Sequence, residues 1–120
     1  MENQSSESLV TEGTFEGAAP GLAGIVARMR LMVGDKALAV LAIDNGRVNL
    51  APDGPPVGVS LVCTSRDLLI KLLRGQLNPV VMALQAEGRL HGDRELGAKI
   101  LYGLRAGSPF AQTRFDGKDQ

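Results

Sequence analysis

The stretch 57–104, VGVSLVCTSRDLLIKLLRGQLNPVVMALQAEGRLHGDRELGAKILYGL, constrains the fold more than any other part of the chain. Its hydrophobic period changes along its length. It opens with the two-residue alternation of a half-buried strand, Val57, Val59, Leu61 and Cys63 against Gly58, Ser60, Val62 and Thr64. At Thr64-Ser65-Arg66-Asp67 the pattern turns helical, with hydroxyls able to cap and an acid in the first turn. Leu68, Leu69, Leu72 and Leu73 follow at helical spacing, and Gly75 is placed to end that helix. Asn78-Pro79 starts a second, short helix, because Pro is pre-set for a first turn. Glu87 to Gly92 reads as a short strand, with Glu87, Arg89 and His91 on one face and Ala86, Gly88 and Leu90 on the other. Asp93 opens a last helix striped by Leu96, Ile100, Leu101 and Leu104.

The preceding half supplies the rest of a sheet. Residues 1–14 are polar without a periodic apolar face, and residues 1–20 as a whole read as a disordered lead. LAGIVARMRLMV, residues 22–33, fits a strand by alternation and a helix by composition. Arg28 and Arg30, two apart, share a face only on a strand, which favours that reading. ALAVLAI, residues 37–43, is apolar on both faces, so it predicts a central strand covered on both sides. Asp44-Asn45-Gly46 is a hairpin turn. Arg47 to Leu50 returns with Val48 and Leu50 inward, and Pro52 to Pro56 turns again into the strand at 57–64. The expectation is a four-stranded antiparallel meander, a helical crossover, a fifth strand and a helix. That is an α+β domain over residues 21–106, a five-stranded, mainly antiparallel sheet covered on one face by helices. Residues 107–120 lose periodicity and read as a tail from which Phe110 docks.

Composition excludes several functions. Thirteen basic and thirteen acidic residues cancel, which argues against nucleic acid as the main partner. No run of 18 apolar residues occurs, and the polar, acidic N-terminus is not that of a secretory signal. The single cysteine, Cys63, cannot form an intramolecular disulfide and suits a reducing cytoplasm, the expected location. Aromatic residues make up only 3% of the chain, so its core must be aliphatic.

Catalytic groups are few. One histidine and one cysteine leave no ligand set for a metal, and no nucleophile elbow, phosphate-binding glycine loop or dinucleotide fingerprint is present. No cofactor is expected. His91 reads as a solvated edge residue, Cys63 as a small core hydrophobe and Tyr102 as a packing residue with its hydroxyl at a rim. If the chain were an enzyme, Tyr102, His91 and Asp93 would be the only catalytic candidates. What remains is apolar surface. The leucine stripes of 66–74 and 94–104 can bury against an inner sheet face of Leu38, Val40, Ala42, Val48, Leu50, Val59, Leu61, Cys63 and Leu90. Small residues on both sides, Ala42, Ala86 and Gly88 against Gly75, Ala83, Gly97, Ala98 and Gly103, leave either close packing or a void. An empty void forfeits roughly 24 cal/mol per Å³, so long apolar voids are usually ligand tunnels.

The pieces VSLVCTSRDLLIKLLRGQLNP and EGRLHGDRELGAKIL, in this order and spacing, resemble the sterol carrier protein type-2 family. The resemblance covers about residues 22–104. Asp67, Leu68, Leu72, Gly75, Leu77, Asn78 and Pro79 match one family segment. Leu90, Gly92 and Asp93 match a second, and Leu96, Ala98 and Leu101 the last helix. The resemblance implies an apolar tunnel between sheet and helices that holds a sterol, a fatty acid or a fatty acyl-CoA. On this chain it implies a lining of Val40, Val48, Leu50, Val59, Leu61, Leu68, Leu72, Leu90, Leu101 and Tyr102. The expected function is therefore binding of a hydrophobic small molecule as carrier or presenter. The alternatives are a cyclase or isomerase using the same chamber, and a non-catalytic accessory factor of a lipid or quinone biosynthetic complex with a partner enzyme. Residues 1–20 offer no counterpart to the family's long N-terminal helix. The two-sided strand 37–43 therefore adds the expectation of a homodimer through that face.

Overall fold

The turn at Asn45-Gly46 sets the register of the sheet. Both residues take positive φ, 52° and 90°, as a two-residue hairpin of matching twist requires. Asp44 therefore lies opposite Arg47, Ile43 opposite Val48 and Leu41 opposite Leu50. The computed structural model describes Leu9, residues 15–52 and residues 58–115. Its strands are β1 (Phe15–Ala18), β2 (Val26–Val33), β3 (Lys36–Asp44), β4 (Arg47–Ala51), β5 (Val59–Cys63) and β6 (Gly88–Gly92). Its helices are α1 (Arg66–Leu73), α2 (Pro79–Leu84) and α3 (Arg94–Ala106). The fold is α+β, as expected, but the sheet has six strands rather than five, in the order β1-β4-β3-β2-β5-β6.

The additional strand is β1, which pairs antiparallel with β4 inside the stretch read as a lead. Backbone pairing here needs no hydrophobic run, so composition hid it. The other expected disorder, over residues 1–14, lies outside the described residues except at Leu9. That residue is fully buried and donates its N–H to the Leu38 carbonyl. Residues 22–33 resolve as the strand β2 preceded by a 3₁₀ turn at Pro20–Leu22.

The expected meander is also corrected. β5 does not lie beside β4; it pairs parallel with β2. Ala51, at the end of β4, is opposite Val40, which is opposite Arg30, which is opposite Ser60 at the start of β5. So β5 begins at the level where β4 stops, three strands or about 14 Å away. Seven residues, 52–58, connect the two strands, fewer than the dozen of a usual parallel crossover. The turn read at Pro52 to Pro56 falls mostly outside the described residues, as does Val57.

Cross-strand partners share a face. The inner face holds Met29, Leu31, Leu41, Ile43, Val48, Leu50, Val59, Leu61 and Leu90. Val40, expected inward, is aligned with Arg30 and Ala51 on the outer face instead. The apolar stretch 37–43 conceals its own phase, and only the hairpin pairing reveals it. β3 is nonetheless covered on both sides, with Leu38 and Val40 only 4% and 5% exposed within the single chain.

The helix boundaries follow the signals read above. Ser65 caps α1 by accepting the Leu68 N–H at 3.1 Å, and Asp67 pairs with Lys71 at 3.4 Å. Gly75 ends it in a left-handed conformation, with the Gln76 N–H returning to the Lys71 carbonyl. Asn78 caps α2 through the Val80 N–H, and Asp93 caps α3 through the Leu96 N–H. α1 and α3 pack on the inner face over β2, β5 and β6.

A candidate ligand-binding cleft at the sheet edge

β6 is an edge strand, so side chains from both of its faces can border the same opening. Leu90 points under α3, where a Cβ on Gly97 would come within 2.8 Å of it. Gly88 lies against Met82 of α2 so closely that a Cβ there would collide with the thioether. These two close approaches seat α2 and α3 side by side on the same face of β6. Between the three elements lies a cleft of about 590 Å³. On the α3 side it is lined by Arg94, Ala98, Leu101 and Tyr102, a stripe at i, i+4, i+7 and i+8 about 12 Å long. On the α2 side it is lined by Pro79, Val80, Met82 and Ala83. Small side chains, Ala83 and Ala98, leave the space that larger ones would fill.

The cleft opens to solvent. Val80 and Tyr102 on its wall are 48% and 45% exposed, and Val81 beside them is 40% exposed. Among the described residues only Val26, at 75%, is a more exposed large apolar side chain. The polar groups sit at the rim, where Arg89, His91 and Arg94 are all exposed.

The structure places the ten expected ligand-binding residues in three locations. Leu90, Leu101 and Tyr102 line the cleft. Val48, Leu50, Val59, Leu61, Leu68 and Leu72 lie in the continuous hydrophobic core and do not line it. Val40 is buried on the outer face. Of the catalytic candidates, His91 and Tyr102 border the cleft, whereas Asp93 holds the α3 N-terminus, accepting from the Leu96 N–H at 3.1 Å. Among the described residues no polar or charged side chain is buried, and no group of three or more His, Cys, Asp or Glu could hold a metal. Cys63 is 1% exposed, and burial pushes its thiol up to about 12, so it stays protonated and inert at neutral pH. No described helix is long and apolar enough to cross a membrane.

Comparison with solved structures adds the fold's identity. A ubiquinone synthesis protein described as UbiJ-SCP2 superposes at a TM-score of 0.52 and 17% identity, over 69% of this chain and 70% of that one. This chain has a sterol carrier protein 2-like fold. The stereoselective inverting sec-alkylsulfatase Pisa1 from Pseudomonas sp. matches at a TM-score of 0.55 and 18% identity, over 74% of this chain. That match spans only 14% of the alkylsulfatase. Sterol carrier protein 2 from Yarrowia lipolytica, in its apo form, gives a TM-score of 0.48 at 18% identity, over 69% of this chain and 70% of that one. No family model matches the sequence, and no curated protein does.

Within this sterol carrier protein 2-like fold, Pro79, Val80, Met82, Arg89 and Arg94 are the cleft residues that the sequence did not mark as bordering a void or a site, whereas Ala83, Gly88 and Ala98 are among the small residues noted there as leaving close packing or a void. The signal for Arg94 was available, because it shares the helical stripe of Ala98, Leu101 and Tyr102. That for α2 was weaker. A helix of six residues cannot show which way its valines face.

Proposed function

We propose that the chain binds a hydrophobic small molecule in the cleft between α2, β6 and α3, as a carrier or presenter. The observation that carries this reading is the cleft itself, about 590 Å³ of mainly apolar wall open to solvent. That is the size and character of a small-molecule site. A fatty acyl or isoprenoid chain, or part of a sterol-like ring system, would extend along the α3 stripe. Burial of about ten methylenes supplies roughly 8 kcal/mol, the scale of micromolar binding before association costs. The sterol carrier protein 2-like fold supports the same reading.

Presentation of a lipid to a partner enzyme is the second reading. It is favoured by the likeness to a ubiquinone synthesis protein and to 14% of an alkylsulfatase. Native mass spectrometry of the protein from its own host tests both. The carrier reading expects an apolar small molecule released on denaturation, and the presenter reading expects an enzyme in a larger complex. A protein that carries no apolar mass, and whose melting temperature no fatty chain or sterol raises, would refute binding.

A further inference from the structure

The backbone of β6 has one free side. On its ladder with β5, the Thr64 N–H donates to the Glu87 carbonyl and the Asp93 N–H to the Gly58 carbonyl. Bonded pairs alternate along an antiparallel ladder, so Arg89 and His91 bond to β5. Leu90, between them, turns its N–H and C=O the other way, towards the edge of the sheet. No described residue bonds to either group. The cleft follows that edge, because Gly88, Arg89, Leu90 and His91 all line it although alternate ones face opposite sides of the sheet. Its α3 wall, about 12 Å long, matches roughly three to four residues of extended chain. The two sides of the edge differ in character. On the inner side Leu90 meets the apolar wall of Met82, Leu101 and Tyr102. On the outer side stand Arg89 and His91, with Arg30 in line beyond Ser60. No Asp or Glu lines the cleft.

From this we infer that β6 is a docking edge for an extended segment of a partner protein, one in which acidic residues alternate with apolar ones. The segment pairs with Leu90 through its main chain, drops its apolar side chains into the cleft and lays its carboxylates along Arg89 and His91. A second copy of this chain fits poorly there, since it would set basic side chains against basic ones. The inference does not depend on lipid binding, because a valine side chain and an acyl chain meet the same apolar wall.

The test uses the full chain, isotope-labelled, and a short acetylated and amidated peptide in which glutamate and valine alternate. NMR titration reads the affinity, and amide exchange reads the backbone. At saturating peptide the Leu90 amide should exchange about tenfold more slowly, with far smaller changes at Arg89 and His91, whose amides already bond to β5. A peptide with lysine in place of glutamate should bind about tenfold more weakly, and Arg89→Glu/His91→Glu should reverse that order. N-methylation of one alternate set of peptide amides should abolish binding, while N-methylation of the other set spares it. No binding of the glutamate peptide at millimolar concentration, equal affinity for the two peptides, or binding that leaves the Leu90 amide fast overturns the docking edge. So does a chain that dimerises through β6 by itself, with Leu90 protected in the dimer. The melting temperature with a fatty chain reads lipid binding separately, so the failure of one reading is not the failure of the other.

Discussion

The two ends of the layer between sheet and helices are built from different materials. At the β1–β4 end, Phe15, Phe110 and Phe115 stack in tilted pairs, with centroids 5.8 and 6.2 Å apart. The Arg74 guanidinium lies 5.7 Å above the Phe115 ring and donates to the Thr113 carbonyl at 2.8 Å. The Ser108 hydroxyl donates to the Leu73 carbonyl and accepts the Phe110 N–H. Gly17 lets Pro109 rest directly on β1. At the β6 end there is no phenylalanine, and a six-residue helix with two exposed valines forms one wall. All three phenylalanines of the chain are spent sealing one end. The other is left with alanine, glycine and short aliphatics, and that is where the cleft is. A scarcity of aromatics is thus a matter of placement as well as amount.

The contrast can be broken from the sealed end first. Phe110→Ala should cost about 3–5 kcal/mol in urea unfolding and leave chain-lipid affinity within twofold, because it opens a cavity far from α2. A comparable loss of ligand affinity would show that the two ends are not independent. Cys63, beneath the helices between the two ends, reports whether the interior is closed. Its thiol should resist a thiol reagent at pH 8 until the chain unfolds. Below pH 9 the folded and unfolded chains both hold the proton, so this contribution to stability is complete there. Between pH 9 and about 12 the unfolded chain ionises first, and stability should fall as pH rises. Rapid labelling of the native protein would point to an open channel under α1.

The open end is probed by smaller effects. Ala98→Trp fills the cleft from α3 and should weaken dodecanoate binding at least tenfold, with a stability change of about 1 kcal/mol or less, measured by calorimetry and thermal melting. Asn78→Ala removes the α2 cap and should cost about 1 kcal/mol, seen as faster amide exchange in residues 80–84. Tyr102→Phe should change affinity by less than twofold if the ring is only a wall. Loss of a product while binding survives would instead make its hydroxyl chemical.

The C-terminal segment was harder to read than the cleft. Phe110 docks as expected from its isolation in a polar stretch. Phe115 is 2% exposed as well, where a frayed end was expected. No periodicity marks a segment that packs through single side chains, and residues 116–120 lie outside the described residues.

Local chemistry in the chain determined the elements. Ser65, Asn78 and Asp93 start the helices, Gly75 stops one, and Asn45-Gly46 folds the hairpin, because capping and turn geometry act within a few residues. The hairpin even carried the register that would have set Val48 against Ile43 and turned Val40 outward. Tertiary structure alone decided that β5 crosses to β2, that Phe15–Ala18 joins the sheet, and that a cleft opens between α2, β6 and α3 at the β6 edge. Each of these depends on residues distant in sequence meeting in space. The size of a cleft is set by what three separate elements leave unfilled, which no local pattern encodes.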